Sequence, residues 1–201
     1  MLERTQPVAS TASWTAEHRT MSADADAEKA RRFREAALPH LDDVYTLARY
    51  LMRDKADADD AAQECYLRAL RHFDSYRGPA FKPWLLAILR NVCKAEFTRR
   101  AAQPVPAPAE DDQADAPLWQ EPQTSPETEL IQHRDGETIR RLIAALPPAF
   151  REVIVLRDIN NLSYRDVAEV TDVPIGTVMS RLARARAMLR AAWNVEEGAA
   201  P

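Results

Sequence analysis

LSYRDVAEVTDVPIGTVMSRLARARAML, residues 162–189, decides the fold class of this chain. Ser163 is placed to cap a short helix, and Asp166 stands three residues later, as a capping box requires. Val167, Ala168 and Val170 supply its inward side. Thr171-Asp172-Val173-Pro174 interrupts the pattern. A longer helix follows, with Val178, Leu182, Ala185 and Leu189 along one side. A capped helix of about nine residues, a tight turn and a second helix with small residues first and arginines after make a helix-turn-helix.

The second helix of such a unit has to enter a major groove about 12 Å wide. Gly176, Thr177 and Ser180 keep its leading end slim and offer hydroxyls. Arg181 and Arg184 project from the polar side, where each can fork onto a guanine edge or a phosphate. The first backbone N–H groups can receive a phosphate. Residues 173–192 contain four arginines and no acid. This matters because the 201-residue chain carries a net charge of −4. The distribution of charge, not its sum, points to nucleic acid.

Upstream, Leu130, Ile139, Leu142, Ile143 and Leu146 stripe one helix. Pro147-Pro148 ends it and starts the next, striped by Phe150, Val153, Ile154 and Leu156 and stopping near Asn160-Asn161. Residues 101–132 read as an acidic, Pro-rich flexible linker, and residues 101–129 hold seven carboxylates with no Lys or Arg. Leu118 and Trp119 are its apolar anchors, and a docking contact or packing on either domain fits them equally.

An N-terminal helical domain is expected over residues 28–100. Phe33, Ala37, Leu41, Val44, Leu47, Ala48 and Leu51 recur at spacings of three and four, with Pro39 a break or kink. A helix over 57–71 has an acidic start and a basic end, the order that suits the helix dipole. Ala58, Ala61, Cys65, Leu67 and Leu70 are its buried side. A helix from Phe81 to about Arg99 has Pro83 in its first turn and an apolar face of Trp84, Leu85, Ile88, Leu89, Val92 and Phe97. Between these two, and into the latter, rings, amides and cations interleave at His72, Phe73, Tyr76, Arg77, Phe81, Lys82, Trp84, Asn91 and Lys94. Such mixtures suit single strands, whose bases stack on rings while phosphates meet cations. By composition the acidic helix start faces solvent.

The overall expectation is an all-α protein of two small helical domains joined by a flexible linker, the C-terminal one a helix-turn-helix at 133–193. Residues 1–27 and 194–201 are expected to be tails, with no signal peptide, no membrane span and no fused ligand-sensing domain. Trp14 reads as a stray aromatic. Cys65 and Cys93 lack CxxC spacing and read as buried thiols in a reducing cytoplasm. His18, His40, His72 and His133 show no metal spacing, and no acid pair or nucleophile set appears. No cofactor, metal or enzymatic activity is expected.

The sequence resembles the extracytoplasmic-function group of the sigma-70 family. Three segments carry the resemblance. The first is Asp57-Ala58-Asp59-Asp60-Ala61-Ala62-Gln63-Glu64. It implies that Asp57, Asp60, Gln63 and Glu64 face core RNA polymerase, which reverses the solvent reading. The second is Phe81-Lys82-Pro83-Trp84-Leu85 through Asn91. It implies capture of the melted −10 element by His72, Tyr76, Arg77, Lys82, Trp84, Asn91 and Lys94. The third is Leu146-Pro147, Val153 to Leu156, Ser163-Tyr164, Val167-Ala168 and the run Pro174 to Leu182. It implies −35 recognition by Ser163, Tyr164, Gly176, Thr177, Ser180, Arg181 and Arg184.

The departures are Ala61 and Ala62 in place of a bulkier pair, Pro83 in place of Ala, and Met179 in place of Lys. An acidic linker that mimics nucleic acid and an anti-sigma factor as a second partner are further implications. Two other functions fit the residues: a stand-alone helix-turn-helix regulator, and a helical protein-interaction module.

Overall fold

A computed structural model describes residues 25–52, 54–102 and 126–198; side chains are described to residue 196, but not within 126–135. All regular structure among the described residues is helical. Helix α1 spans 25–37. Pro39 converts the next turn into a 3₁₀ segment, Leu38–His40, and α2 follows at Leu41–Leu51. α3 runs Lys55–His72, its N-terminus capped by the Asp54 carboxylate accepting from the Asp57 amide at 3.0 Å. A 3₁₀ turn, Phe73–Ser75, leads to α4, Phe81–Ala102. α5 is Pro126–Ala145, so helix begins inside the stretch read as linker.

Pro147 caps α6, Pro148–Ile154, and a π-helical turn, Val155–Ile159, continues it. α7 is Tyr164–Thr171 and α8 is Ile175–Gly198. The Ser163 and Asp166 side chains form the reciprocal capping box that their spacing predicts. Replacing Ser163 with Ala is expected to lower stability by about 1 kcal/mol, measured as a shift in the urea midpoint at unchanged slope. An unchanged midpoint would show that the box contributes nothing.

The apolar stripes bury much as expected. Val44, Leu47 and Ala48 of α2, Ala58, Ala61, Cys65 and Ala69 of α3, and Leu85, Leu86 and Leu89 of α4 close the first half. Ile143, Val153, Leu156, Val167, Val178 and Leu182 close the second. Four stripe residues are corrected: Leu41, Leu67, Phe97 and Ile139 are exposed. Leu41 and Phe97 lie at the edge of their stripes, where spacing of three or four does not say which neighbour turns inward; Leu67, two residues from the buried Cys65, is on the opposite side of α3, and Ile139 shares the face of Ile143 one turn earlier in α5 and is still exposed.

The two halves share one hydrophobic cluster. α4 packs on α7, and α2 packs on α6 and the π turn. Polar contacts cross the same seam. Arg90 Nε donates to Glu152 Oε1 at 2.6 Å, both side chains largely buried. Asn160, which ends the π turn, donates through Nδ2 to the Asp43 carbonyl at 3.0 Å. Arg151, only 4% exposed, donates to the Tyr50 carbonyl at 3.0 Å and to the Leu146 carbonyl at 2.8 Å.

No helix among the described residues is long and apolar enough to cross a membrane. Burial pushes the Cys65 and Cys93 thiols up to about 12, with the Cys93 charge adding at Cys65 and the Glu152 charge adding at Cys93. Both stay protonated at neutral pH, which removes the thiolate that reactivity needs.

Candidate nucleic-acid interface

The α7–α8 turn is built by backbone geometry. Asp172 takes the left-handed conformation, φ 53° and ψ 48°, and the Val173 amide reaches the Ala168 carbonyl at 3.2 Å. This closes α7 in the manner usually left to Gly or Asn. The Pro174 carbonyl then accepts from the Thr177 amide at 2.8 Å and starts α8. Val178, Leu182 and Ala185 are fully buried and fix the rotation of α8.

That rotation leaves Gly176, Ser180 and Arg184 exposed and Thr177 and Arg181 half-exposed. A Cβ at Gly176 would meet nothing within 4 Å, so the leading end of α8 is open. The Ser180 hydroxyl donates back to the Thr177 carbonyl at 3.0 Å. Neither Arg181 nor Arg184 has an ion-pair partner among the described residues, whereas Arg186 forks onto Asp158 at 2.6 and 3.0 Å. The Asp158 hydrogen bonds raise the Arg186 pKa. Ser163 and Tyr164 are more structural than their motif suggests. The Ser163 hydroxyl donates to Asp166 at 2.7 Å, and the Arg157 guanidinium covers the Tyr164 ring at 4.8 Å.

In the first half, the residues around the 3₁₀ turn form an aromatic nest. Tyr76 and Trp84 lie 4.8 Å apart, and Phe81 meets Phe33, Phe73, Tyr76 and Trp84. Tyr76, Phe81 and Trp84 are half-buried, so each ring keeps an accessible part. His72, Arg77, Asn91 and Lys94 are exposed. Arg77 folds back onto the Asp74 and Tyr76 carbonyls, and Lys82 is tied to Asp43 at 2.7 Å. Against this surface stands the acidic side of α7. Asp166 and Glu169 line a cavity of about 200 Å³ with Tyr76, Arg77 and Trp84. Burial raises the Tyr76 hydroxyl pKa, and the Glu169 charge adds to it. Asp166 and Glu169 thus set two carboxylates beside the rings.

The acidic start of α3 divides in two. Asp60 and Gln63 are exposed, and Asp60 is in no ion pair among the described residues. Asp57 is paired with Arg100 of α4, and Glu64 with Arg68 at 2.6 Å. Leu67, 50% exposed, stands one turn further along the same side. The sequence reading missed it as a surface residue; its spacing of four and seven from Gln63 and Asp60 was the available signal.

Comparison with known proteins agrees with this layout. The family model for Sigma-70 region 2 matches residues 37–103, and that for Sigma-70, region 4 matches residues 136–189. The ECF RNA polymerase sigma factor SigE of Mycolicibacterium smegmatis is 35% identical over 158 residues, covering 78% of this chain and 59% of that relative. The ECF RNA polymerase sigma-E factor of Haemophilus influenzae is 35% identical over 150 residues, covering 71% of this chain and 77% of that relative. The sigma factor RpoE of Bartonella quintana, solved in complex with the anti-sigma factor NepR, superposes with a TM-score of 0.62 at 24% identity, over 82% of this chain and 98% of that one. With two family segments in order and relatives of this identity, the chain belongs to the extracytoplasmic-function group of the sigma-70 family.

Proposed function

We propose that this chain binds core RNA polymerase and directs it to promoters, holding the −35 duplex with α7–α8 and the melted −10 strand with the Tyr76–Trp84 rings. The observation that carries this is the acid-free, open leading end of α8, with Arg181 and Arg184 unpaired among the described residues, in a chain of this family. Thr177, Ser180, Arg181 and Arg184 meet base edges and phosphates, with Gly176 allowing close approach, while Ser163 and Tyr164 set the angle of α7. His72, Tyr76, Arg77, Lys82, Trp84, Asn91 and Lys94 stack unpaired bases and meet their phosphates. The polymerase supplies the chemistry; the chain itself is not an enzyme.

Since the Asp166 and Glu169 carboxylates of α7 stand beside the rings and repel a phosphate backbone, the −10 strand binds after α7 moves off α4. The closed arrangement therefore belongs to the chain without polymerase. An anti-sigma factor is the second partner of this reading, by analogy with the Bartonella quintana complex.

Core docking falls to the Asp57, Asp60, Gln63 and Glu64 side of α3, with Leu67 as its apolar contact. Replacing Asp60 and Glu64 with Lys is expected to weaken core binding at least about tenfold, since like charges brought together across an interface cost several kcal/mol. Unchanged binding would place docking elsewhere. The decisive experiment is reconstituted transcription. Chain plus core polymerase should start transcripts at specific genomic promoters, while the chain alone binds duplex weakly. Tight duplex binding without polymerase would favour a stand-alone regulator, and absence of initiation on every genomic promoter would overturn the proposal.

A further inference from the structure

The leading turns of α8 expose two large apolar side chains that the fold does not use. Ile175 is 49% exposed and Met179 is 55% exposed, and neither belongs to the hydrophobic cluster. Four residues apart on one helix, they are neighbours on one face. Gly176 beside them is open, and the buried Val178 and Leu182 hold the helix so that the pair faces outward.

The charges on the opposite flank of the same helix, about half a turn round, define what its leading end meets. No carboxylate occurs in residues 173–192, and Arg181 and Arg184 have no ion-pair partner among the described residues. A surface with these cations fits a polyanion. An apolar protein groove would take only the Ile175–Met179 flank and leave the Arg181–Arg184 flank to solvent, whereas a helix lying in a DNA groove is contacted on both flanks. Duplex DNA satisfies both. Its phosphates meet the arginines, and its major groove carries one apolar group, the thymine C5-methyl. An RNA duplex is excluded as the occupant, because side chains cannot read its deep, narrow major groove.

We infer that Ile175 and Met179 read thymine methyl groups, so that the upstream promoter element of this chain carries thymine where α8 enters the groove. The inference rests on the promoter reading above and makes it specific. A lysine or arginine at position 179 would pin a phosphate or a guanine and be blind to that methyl. Methionine, unbranched and with three rotatable bonds, can settle against it. Ile175 supplies the rigid half of the contact.

The test uses the holoenzyme of this chain and core polymerase. A promoter library randomised upstream is enriched by binding, and each thymine of the enriched −35 element is then replaced with deoxyuridine, which removes only the methyl. One or two positions are expected to lose about fourfold in affinity, the factor that one buried apolar carbon gives at room temperature. In holoenzyme carrying Met179→Ser, that loss should vanish at the position Met179 reads while the other positions behave as before. Met179 is exposed, so the variant keeps its fold, and a far-ultraviolet dichroism spectrum checks this. Deoxyuridine tolerated at every thymine, or a penalty that persists in Met179→Ser and in Ile175→Ser, would overturn the inference while leaving the promoter reading intact. If no duplex is enriched at all, the promoter reading fails and the inference with it.

Discussion

Replacing Arg151 with Met is expected to lower the stability of the chain by about 3 kcal/mol. Each hydrogen bond from a charged donor contributes about 1.5–3 kcal/mol, and Arg151 makes two to carbonyls, at Tyr50 and Leu146. Tyr50 lies in the last turn of α2, whose final carbonyls have no partner within the helix. Leu146 follows the last residue of α5. One guanidinium therefore closes two helix ends, one in each half of the molecule. Met fills similar volume but donates nothing, and it leaves both carbonyls without this donor. The gain from no longer burying a charge offsets part of the loss, which sets the figure at the low end. Natural stability is commonly about 5–15 kcal/mol, so this is a large fraction of it. Urea denaturation followed by dichroism measures it. A loss below about 1 kcal/mol would mean that water reaches both carbonyls.

Reversing Arg181 and Arg184 together to Glu is expected to reduce promoter-specific initiation by about a hundredfold or more. A well-placed arginine contact to a base discriminates by about 1–3 kcal/mol, and two such contacts are lost. Two new carboxylates beside phosphate add repulsion. Arg186 is the internal control. It is already engaged by Asp158, so Arg186→Gln should lose far less activity than the double reversal. Initiation by the reconstituted holoenzyme at an enriched promoter is the readout. Core binding is measured in parallel and should stay constant, because the altered residues lie on α8 and not on the acidic side of α3. Unchanged initiation in the double variant would remove α8 from the DNA interface.

The helices were legible because each carries local marks. Ser163 with Asp166 announces α7, Pro147-Pro148 divides α5 from α6, and Pro39 breaks the first long stripe. The α8 face was legible because Val178, Leu182 and Ala185 recur at helical spacing and the arginines avoid that side. Phe97 was misplaced because a residue at the border of a stripe is assigned by its neighbours in space, not by its period, whereas Leu67, two residues from Cys65, stands opposite the buried side of α3 by its period alone. Arg151 gave no signal at all. Between Phe150 and Glu152 it looks like an ordinary surface arginine, and its burial follows from two helix ends converging on it. The pairing of Asp57 with Arg100, 43 residues away, was equally hidden.

Helical class, the helix-turn-helix and the sign of its charged face follow from the order of residues alone, since they depend on interactions within a few turns of one helix. The tertiary structure alone decided that α7 sets Asp166 and Glu169 beside the Tyr76–Trp84 rings, that among the described residues Asp57 and Glu64 are in ion pairs and Asp60 is not, and that Ile175 and Met179 are left in solvent. A period fixes which side of a helix is apolar. It does not say which other helix that side will meet, and every one of these outcomes turns on such a meeting.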